Sequence, residues 1–417
     1  MARGRIRLRG GVVIFARLRA LLGPSAVDRD TDNLPRATPE SSETLALVCR
    51  IAHDEGWTMR IEGRGTWLPP DAPADLAVST RALDAVVSVS PADLVATVQA
   101  GATLESVRRA LGEQRMWLAL DPPGRPERSL GSVAATATAG PLRQGFGPVR
   151  DHVLGCTVVT GDGRVVRAGG RVVKNVAGFD LAKLHVGGFG AFGIITELHL
   201  RLRAQPETDV TLVQRGPRDP LTRAARDLDE AGFTPAALEL VSPALAAEPE
   251  WMLAVRLAGL TDGVRAEIAE LSGSVAGPWQ ELPADRAAAF WALVARGAAS
   301  GPVTLRLGVL GPGVDEAIDL VADALGEGLL AGGPAAGGLR WTGETDADRI
   351  RALRRALAAR EIPLAVERAP WALRRAVGHF GAYREGVGPL AGRLRETFDP
   401  GHQLAVALDG DKSAGDP

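Results

Sequence analysis

The chain has 417 residues, a formal net charge of −2 and an apolar fraction of 46%. That length predicts two or three domains with ample material for a core. The near-neutral balance carries no footprint of a nucleic-acid binder, and the composition is not that of a disordered chain.

Residues 1–20 hold six arginines, Arg3, Arg5, Arg7, Arg9, Arg17 and Arg19, around the apolar patch Val12-Val13-Ile14-Phe15. No apolar run approaches the roughly 20 residues of a transmembrane segment, and the patch is too short and arginine-interrupted for a secretory signal. Residues 1–35 are expected to be a loosely ordered basic lead-in, with a basic amphipathic helix touching a membrane or partner as the alternative.

From Pro35 helices and strands alternate. Ser42 to Glu55 carries Leu45, Leu47, Val48, Ile51 and Ala52 at helical spacing. Thr58–Ile61 reads as a strand running into Gly63-Arg64-Gly65-Thr66, and further strands are expected at Leu76–Thr80, Ala85–Val89 and Ala96–Ala100. A helix over Leu104–Gly112 follows, capped by Thr103 with Glu105 in its first turn. Cys156 to Arg167 reads as a hairpin tipped by Gly161-Asp162-Gly163, and Leu198–Leu202 as a closing strand. Residues 36–205 thus form an α+β unit of two lobes, divided near Gly101.

Beyond 206, strands are expected at Val210–Gln214, Leu238–Val241, Trp251–Ala258 and Val303–Val309, and helices over 220–231, 283–298, 314–326 and 345–359. That alternation suits an α/β second domain, 206–417, whose sheet is covered by helices. Ala331–Gly338 reads as a Gly/Ala loop, while Val366-Glu367-Arg368-Ala369-Pro370 and Phe398-Asp399-Pro400-Gly401 punctuate short helices.

Cys49 and Cys156 are far apart and neither belongs to a CxxC, so a disulfide framework, a Cys-rich zinc site and a Cys-ligated iron–sulfur cluster are not expected in this chain. No metal site is expected at all.

Three small-residue segments carry the chemistry. In Arg60-Ile61-Glu62-Gly63-Arg64-Gly65-Thr66-Trp67, two glycines around one residue let successive N–H groups turn inward as an anion nest suited to a diphosphate. An ordinary glycine turn is the other reading. No Gly-Lys-Ser/Thr follows, and no GxGxxG opens a helix. In Ser129 to Gly140, twelve residues built almost wholly of Gly, Ala, Ser and Thr either lie against something large and planar or pack a helix closely on its neighbour. Arg150 and Asp151, just beyond, would tie this loop to the hairpin. In Lys174-Asn175-Val176-Ala177-Gly178-Phe179-Asp180-Leu181 and Gly187 to Glu197, a polar turn and five glycines precede a β-branched run, bringing backbone to a ligand before a strand begins. Lys174 faces either an anion or solvent.

In this order and spacing the segments resemble the FAD-binding domain of the vanillyl-alcohol oxidase/PCMH flavoprotein superfamily. Within it they are most similar to the FAD-binding (E-type) subunits of bacterial glycolate oxidase. Gly63–Thr66, Ser129–Ala135, Arg150–Gly155, Lys174–Leu181 and Gly190–Glu197 carry the likeness, with weaker echoes at Glu367–Pro370 and Phe398–Gly401. The resemblance implies a two-lobed PCMH-type FAD-binding domain followed by the second, cap-type domain, whose C-terminal helices return to the flavin domain. Glu62, Gly63, Arg64, Gly65, Thr66 and Trp67 would hold the pyrophosphate. Ser129, Gly131, Ser132, Ala134, Ala135 and Gly140 would run beside the flavin and ribityl chain, and Gly193, Ile194 and Ile195 near the adenosine end. Positions 60–67 offer no histidine or cysteine for covalent attachment, and Cys156 is wrongly placed, so the FAD is expected to be non-covalent.

The function implied is that of an FAD-dependent oxidoreductase subunit oxidising a 2-hydroxy acid. It would work with a catalytic flavoprotein subunit and an iron–sulfur subunit, in the cytoplasm, with peripheral attachment at the inner membrane through those partners as the alternative. A stand-alone FAD-dependent 2-hydroxy-acid dehydrogenase and a flavin-free assembly scaffold are the other readings. The catalytic residues are left unassigned. His53, His152 and His199 read as packing or surface residues, and His379 and His402 are better placed for a base by the resemblance. Arg368, Arg374, Arg375 and Arg384 are clamp candidates or a solvated helix face.

Overall fold

The computed structural model describes residues 2–171, 180–274, 278–326, 328–335, 337–381 and 386–406, with backbone alone for 2–10 and 274. Three sheets carry the chain. The first has the order β1 (Val27–Arg29), β2 (Pro35–Ala37), β4 (Leu76–Ser79), β3 (Met59–Glu62), antiparallel at β1–β2 and parallel elsewhere. The crossover to β3 is helix α2 (Ser42–Glu55). Ser41 Oγ accepts from Thr44 N at 3.1 Å to start it, and Gly56 at φ 66° stops it. Leu45, Val48, Cys49 and Ala52 are its buried stripe.

The lead-in is not loose. Helix α1 (Ala2–Leu22) lays Ile14 and Leu18 into the core of the first sheet, and Arg17 pairs with Glu55 at 2.5 Å. Phe15, Leu21 and Leu22 pack against the same core, so an apolar stripe docks the helix, although the arginines around it hide the stripe in the sequence.

The second sheet is antiparallel throughout, in the order β5 (Val86–Ser90), β6 (Val95–Gln99), β10 (Ile194–Arg201), β8 (Val153–Val159), β9 (Val165–Gly169). The chain changes sheet between Ser79 and Val86, ahead of the division expected at Gly101, because β5 and β6 pair with each other and with β10. Helices α3 (Leu104–Gly112, capped by Thr103) and α4 (Leu130–Thr136) cover one face, followed by the single turns α5 (Arg143–Phe146), α6 (Val149–His152) and α7 (Ala182–His185). A ribbon of β7 (Met116–Trp117) with β11 (Arg203–Ala204) closes the lobe. Arg150 and Asp151 are an exposed pair at 3.6 Å, facing each other and not the hairpin.

The third sheet has eight antiparallel strands. Their order is β15 (Gln280–Glu281), β12 (Thr208–Gly216), β14 (Trp251–Gly259), β13 (Ala237–Val241), β17 (Leu329–Gly333), β18 (Gly338–Gly343), β16 (Val303–Leu307), β19 (Leu364–Arg368). Alternate residues serve two cores. Leu253, Val255 and Leu257 face helices α8 (Arg218–Glu230), α10 (Thr261–Ser274), α12 (Val314–Leu325) and α13 (Ala347–Ala358). Met252 and Ala254 face α9 (Pro243–Ala246) and α11 (Ala284–Gly297). The glycine tract expected as a loop is the β17–β18 hairpin. A Cβ at Gly332 would fall 2.7 Å from Gly338 O, so its small residues serve close strand approach. Val366–Arg368, expected between helices, lies within β19.

The chain then returns to the first lobe through α14 (Trp371–Val377) and α15 (Val387–Phe398). Met59 N donates to Gln403 O at 2.7 Å and Ala405 N to Met59 O at 2.9 Å, so residues 403–405 extend the edge at β3. Among the described residues no helix is long and apolar enough to cross a membrane.

Candidate functional site

The end of β3, helix α4, the segment 189–195 and the start of the C-terminal return enclose one cavity. Residues 63–67 form its rim. The backbone N–H groups of Arg64, Gly65, Thr66 and Trp67 have no protein acceptor among the described residues, and Gly65 takes φ 67°. Carbonyl and side-chain contacts fix this turn instead. Ser79 Oγ donates to Gly63 O at 3.2 Å, Arg368 Nε to Trp67 O at 2.9 Å, and Arg64 Nε to Gly101 O at 3.1 Å. The N–H groups are left for an anion.

Behind the turn lies a buried cation. Arg128 has its guanidinium carbon 4.2 Å from the centre of the Trp67 ring and donates to Pro123 O at 2.7 Å, Thr136 Oγ1 at 2.7 Å and Thr138 Oγ1 at 2.6 Å. Burial pushes its pKa down to about 9, against the pull of Glu367.

Helix α4 forms the floor. Its Leu130, Val133 and Ala134 face the core, and Ser132, Ala135 and Thr136 face the cavity. Gly131 N donates to Ala100 O at 2.7 Å, and a Cβ at Gly131 would lie 2.7 Å from Ala100 Cβ. Close helix packing therefore explains this glycine, and the small outer face lines the cavity. Ala134 O and Ala135 O accept from Gly187 N and Phe189 N, at 3.0 and 2.8 Å, docking the glycine-rich segment onto the end of α4. At Gly193, φ is 122° and a Cβ would meet Val158 Cγ1 at 2.6 Å, so only glycine turns the chain into β10 there.

Residues far along the chain complete the wall: Arg374, His379, Ala405 and Val406. Arg374 reaches back to the first lobe, donating to Asp71 Oδ1 at 2.8 Å and Pro69 O at 3.2 Å. His379 stacks on Phe189 with centroids 3.8 Å apart, and its Nδ1 lies 2.6 Å from Val366 O. A carbonyl only accepts, so Nδ1 carries the proton. Burial pushes this imidazole down to about 4, so it is neutral at pH 7 and Nε2 is an acceptor.

Of the expected ligand residues, the cavity brings together Glu62, Gly63, Arg64, Gly65, Thr66, Trp67, Gly131, Ser132, Ala135, Gly193, Ile194 and Ile195. Three stand apart. Ser129 lies behind Gly63, whose Cβ would fall 2.3 Å from Ser129 Oγ, and Ala134 points into the core. Gly140 lines an adjoining cavity, where a Cβ would fall 1.9 Å from Asp121 O. The carboxyl of Glu62 is raised by burial, opposed by Arg60, which donates to it at 2.8 Å. Lys174 to Phe179 and Arg384 lie outside the described residues.

Arg374 was a carboxylate-clamp candidate and His379 a candidate base; both line this cavity. Arg60, Phe189 and Gly190 line it too and were not singled out as ligand residues; for the last two, the signal was the glycine run containing them. The other histidines do not line it, and neither cysteine does. Both thiols are buried and pushed up to about 12.

The residues present fit FAD. Unpaired N–H groups suit a diphosphate, buried arginines suit its charge, and the small face of α4 admits a flat group. The family model described as "FAD binding domain" matches residues 36–169. Glycolate oxidase subunit GlcE of Escherichia coli (strain K12) is 38% identical over 128 residues, 30% of this chain and 37% of the relative. Glycolate oxidase subunit GlcD of Bacillus subtilis (strain 168) is 28% identical over 207 residues, 49% of this chain and 44% of the relative. A probable mitochondrial D-lactate dehydrogenase of Danio rerio is 33% identical over 181 residues, 42% and 36% of the two chains. The chain spans less than half the length of these relatives.

Among solved structures, 4-ethylphenol oxidase from Gulosibacter chungangensis superposes with a TM-score of 0.74 at 12% identity, covering 97% of this chain and 98% of the other. An alkyldihydroxyacetonephosphate synthase gives 0.70 at 14%, covering 94% and 85%. Identities this low speak for the fold alone. Residues 36–169 thus match the model of an FAD binding domain, within a chain that shares the fold of these two solved structures.

Proposed function

We propose that this chain is a non-covalent FAD-binding subunit of a glycolate oxidase-type complex, acting in the oxidation of a small 2-hydroxy acid. The observation that carries the reading is the run of N–H groups over 64–67, open to a cavity whose opposite wall is the small-residue face of α4. Names given to the relatives, glycolate oxidase subunits and a D-lactate dehydrogenase, support the substrate class.

When bound, FAD supplies the hydride acceptor. The chain's own residues bind and orient. The 63–67 turn takes the diphosphate, with Arg374 as a buried counter-charge. Ser132, Ala135 and Thr136 seat the flat part of the cofactor. His379, neutral with Nε2 free to accept, faces the cofactor as an acceptor and not as a cation. Neither cysteine is near, and the 63–67 turn holds no histidine or cysteine, which supports a dissociable cofactor. Partners would be a catalytic flavoprotein and an iron–sulfur subunit, in the cytoplasm or held at the inner membrane through them. A stand-alone dehydrogenase of the D-lactate type is the second reading, favoured by the name of the Danio rerio relative.

The test is a visible spectrum of the purified chain before and after denaturation. Bands near ~375 and ~450 nm, with the flavin released intact, are expected. A colourless protein that refuses added FAD would leave an assembly scaffold, and colour retained by the denatured chain would refute non-covalent binding. Reduction of the bound flavin by D-lactate or glycolate in the isolated chain would favour the stand-alone enzyme over the subunit.

A further inference from the structure

Helix α1 has two apolar faces. One docks on the first lobe, where Ile14 and Leu18 are buried and Phe15, Leu21 and Leu22 pack beside them. The other is left to solvent. Val12 and Val13 are each 61% exposed, and Ala16 and Ala20, one and two turns beyond Val12, are exposed as well. Arginines rim this strip. Arg17 is held on one side by Glu55 and by the Trp57 ring, whose centre is 5.8 Å from its guanidinium carbon. Arg19 stands on the other side, 5.6 Å from the centre of the Phe15 ring, and has no carboxylate partner among the described residues. Arg29 from β1 lies over the same ring at 4.6 Å.

The composition of the helix is as restricted as its surface. Residues 1–22 hold six arginines and otherwise only glycine and apolar residues, with no Asp or Glu and no hydroxyl or amide side chain. Arg5 and Arg9 precede Val13 at intervals of four residues. A face of this kind supplies positive charge and apolar burial, and no hydroxyl, amide or carboxyl group that would fit one particular protein partner.

An anionic bilayer asks for no more. Its phosphates draw in the arginines, and small apolar side chains enter the boundary between headgroups and acyl chains. A nucleic acid would match the arginines but has no use for two exposed valines on the same face. With a net charge of −2 for the whole chain, everything after Leu22 is net negative. The attraction is therefore confined to α1, and it turns the first lobe toward the surface.

We propose that α1 is a lipid-contacting element: Val12, Val13, Ala16 and Ala20, with the arginines around them, lie on an anionic membrane surface while the opposite face stays docked on the first lobe. The attachment is the chain's own and needs neither partner subunits nor bound FAD. Four small side chains bury little area, so it is reversible and sensitive to salt.

Co-sedimentation of the full chain with vesicles, with and without added FAD, tests it. Vesicles of equal parts phosphatidylcholine and phosphatidylglycerol should carry the chain down, and phosphatidylcholine alone should not. Raising the salt from ~0.1 to ~0.5 M should weaken binding about tenfold or more, as should R5Q/R9Q, which keeps every apolar residue. Insertion is read separately. Both native cysteines are buried, so an environment-sensitive nitrobenzoxadiazole label goes to the new thiol of Val12→Cys. The label should brighten on the anionic vesicles and stay dim with duplex DNA or polyglutamate. Thermal melts of the variants should match wild type, because none of these positions belongs to the docked face. No binding to anionic vesicles, equal binding to phosphatidylcholine alone, a label that stays dim on bound vesicles, or tighter binding to duplex DNA than to vesicles overturns the proposal. A chain that refuses FAD yet still binds the vesicles would sink the flavin reading and leave this one standing.

Discussion

The Arg128 guanidinium lies over the Trp67 ring and is fully buried, with no carboxylate among the described residues in ion-pair reach. It links the 63–67 turn to Pro123, Thr136 and Thr138, of which Thr136 lines the proposed cofactor site. Arg128→Met relieves a buried charge but leaves two hydroxyls and a carbonyl short of a donor. The second effect should win, at about 2–4 kcal/mol of stability with weaker FAD binding. Arg128→Lys should not rescue it, because one ammonium cannot span the three acceptors. Urea denaturation and FAD titration of both variants check this; full rescue by lysine would show that charge alone matters.

Gly131→Ala is expected to act through backbone. The added methyl would sit 2.7 Å from Ala100 Cβ and 2.8 Å from Ala100 O, so α4 must lift away from the end of β6. Overpacking of that kind costs about 1–3 kcal/mol. Because Ser132 and Ala135 ride on the same helix, FAD affinity should fall about tenfold or more. Flavin fluorescence on titration measures it. Unchanged affinity would mean that α4 does not position the cofactor.

How much of this was legible follows from the range over which each residue finds its partner. Ser41 and Gly56 mark α2 within the helix's own neighbourhood, so its limits could be read directly. Gly63, Gly65 and Gly193 announced themselves because a turn needs glycine wherever the chain lies. The β17–β18 hairpin did not, since Gly332, Gly333 and Gly338 lack side-chain alternation and their strand character comes from pairing with β13 and β16. His379 and Arg374 have no local pattern at all. Their place is fixed by Phe189 and Asp71, far away in sequence. Gly140 was placed beside the flavin by the resemblance alone; in the structure Asp121 sits against it, a contact no local pattern announces.

His379 predicts a pH dependence. Its folded-state pKa, about 4, lies below its ordinary 6.5, so between these values the unfolded chain binds the extra proton and stability falls as pH falls. The depression is worth roughly 3 kcal/mol, fully lost only near pH 4 and below. In His379→Asn the amide can still donate to Val366 O, but nothing at that position titrates. The variant should be less stable than wild type at pH 7.5, and the gap should close as pH drops from 6.5 to 4. His185, pushed the same way by burial, is common to both proteins and cancels. Thermal melts across that range decide it; a gap independent of pH would mean that His379 is already exposed to solvent.

Arg374 joins the C-terminal return to the first lobe through Asp71, and the arginine is 5% exposed. With the 63–67 turn only a few residues before Asp71, loss of this contact should loosen the loop at 69–71 and remove a buried cation from the cavity wall. Arg374→Met is expected to raise the FAD dissociation rate about 10–100-fold with little change in association. Asp71→Asn should do less, because Arg374 keeps Pro69 O and Ala369 O as acceptors. The double variant should then show a coupling of about 0.5–3 kcal/mol, since both single changes break one contact. Stopped-flow release of FAD into an excess of an FAD-specific apo-flavoprotein measures all three. Strict additivity would place Arg374 on the cofactor independently of Asp71, as a counter-charge and not as a tie between the lobes.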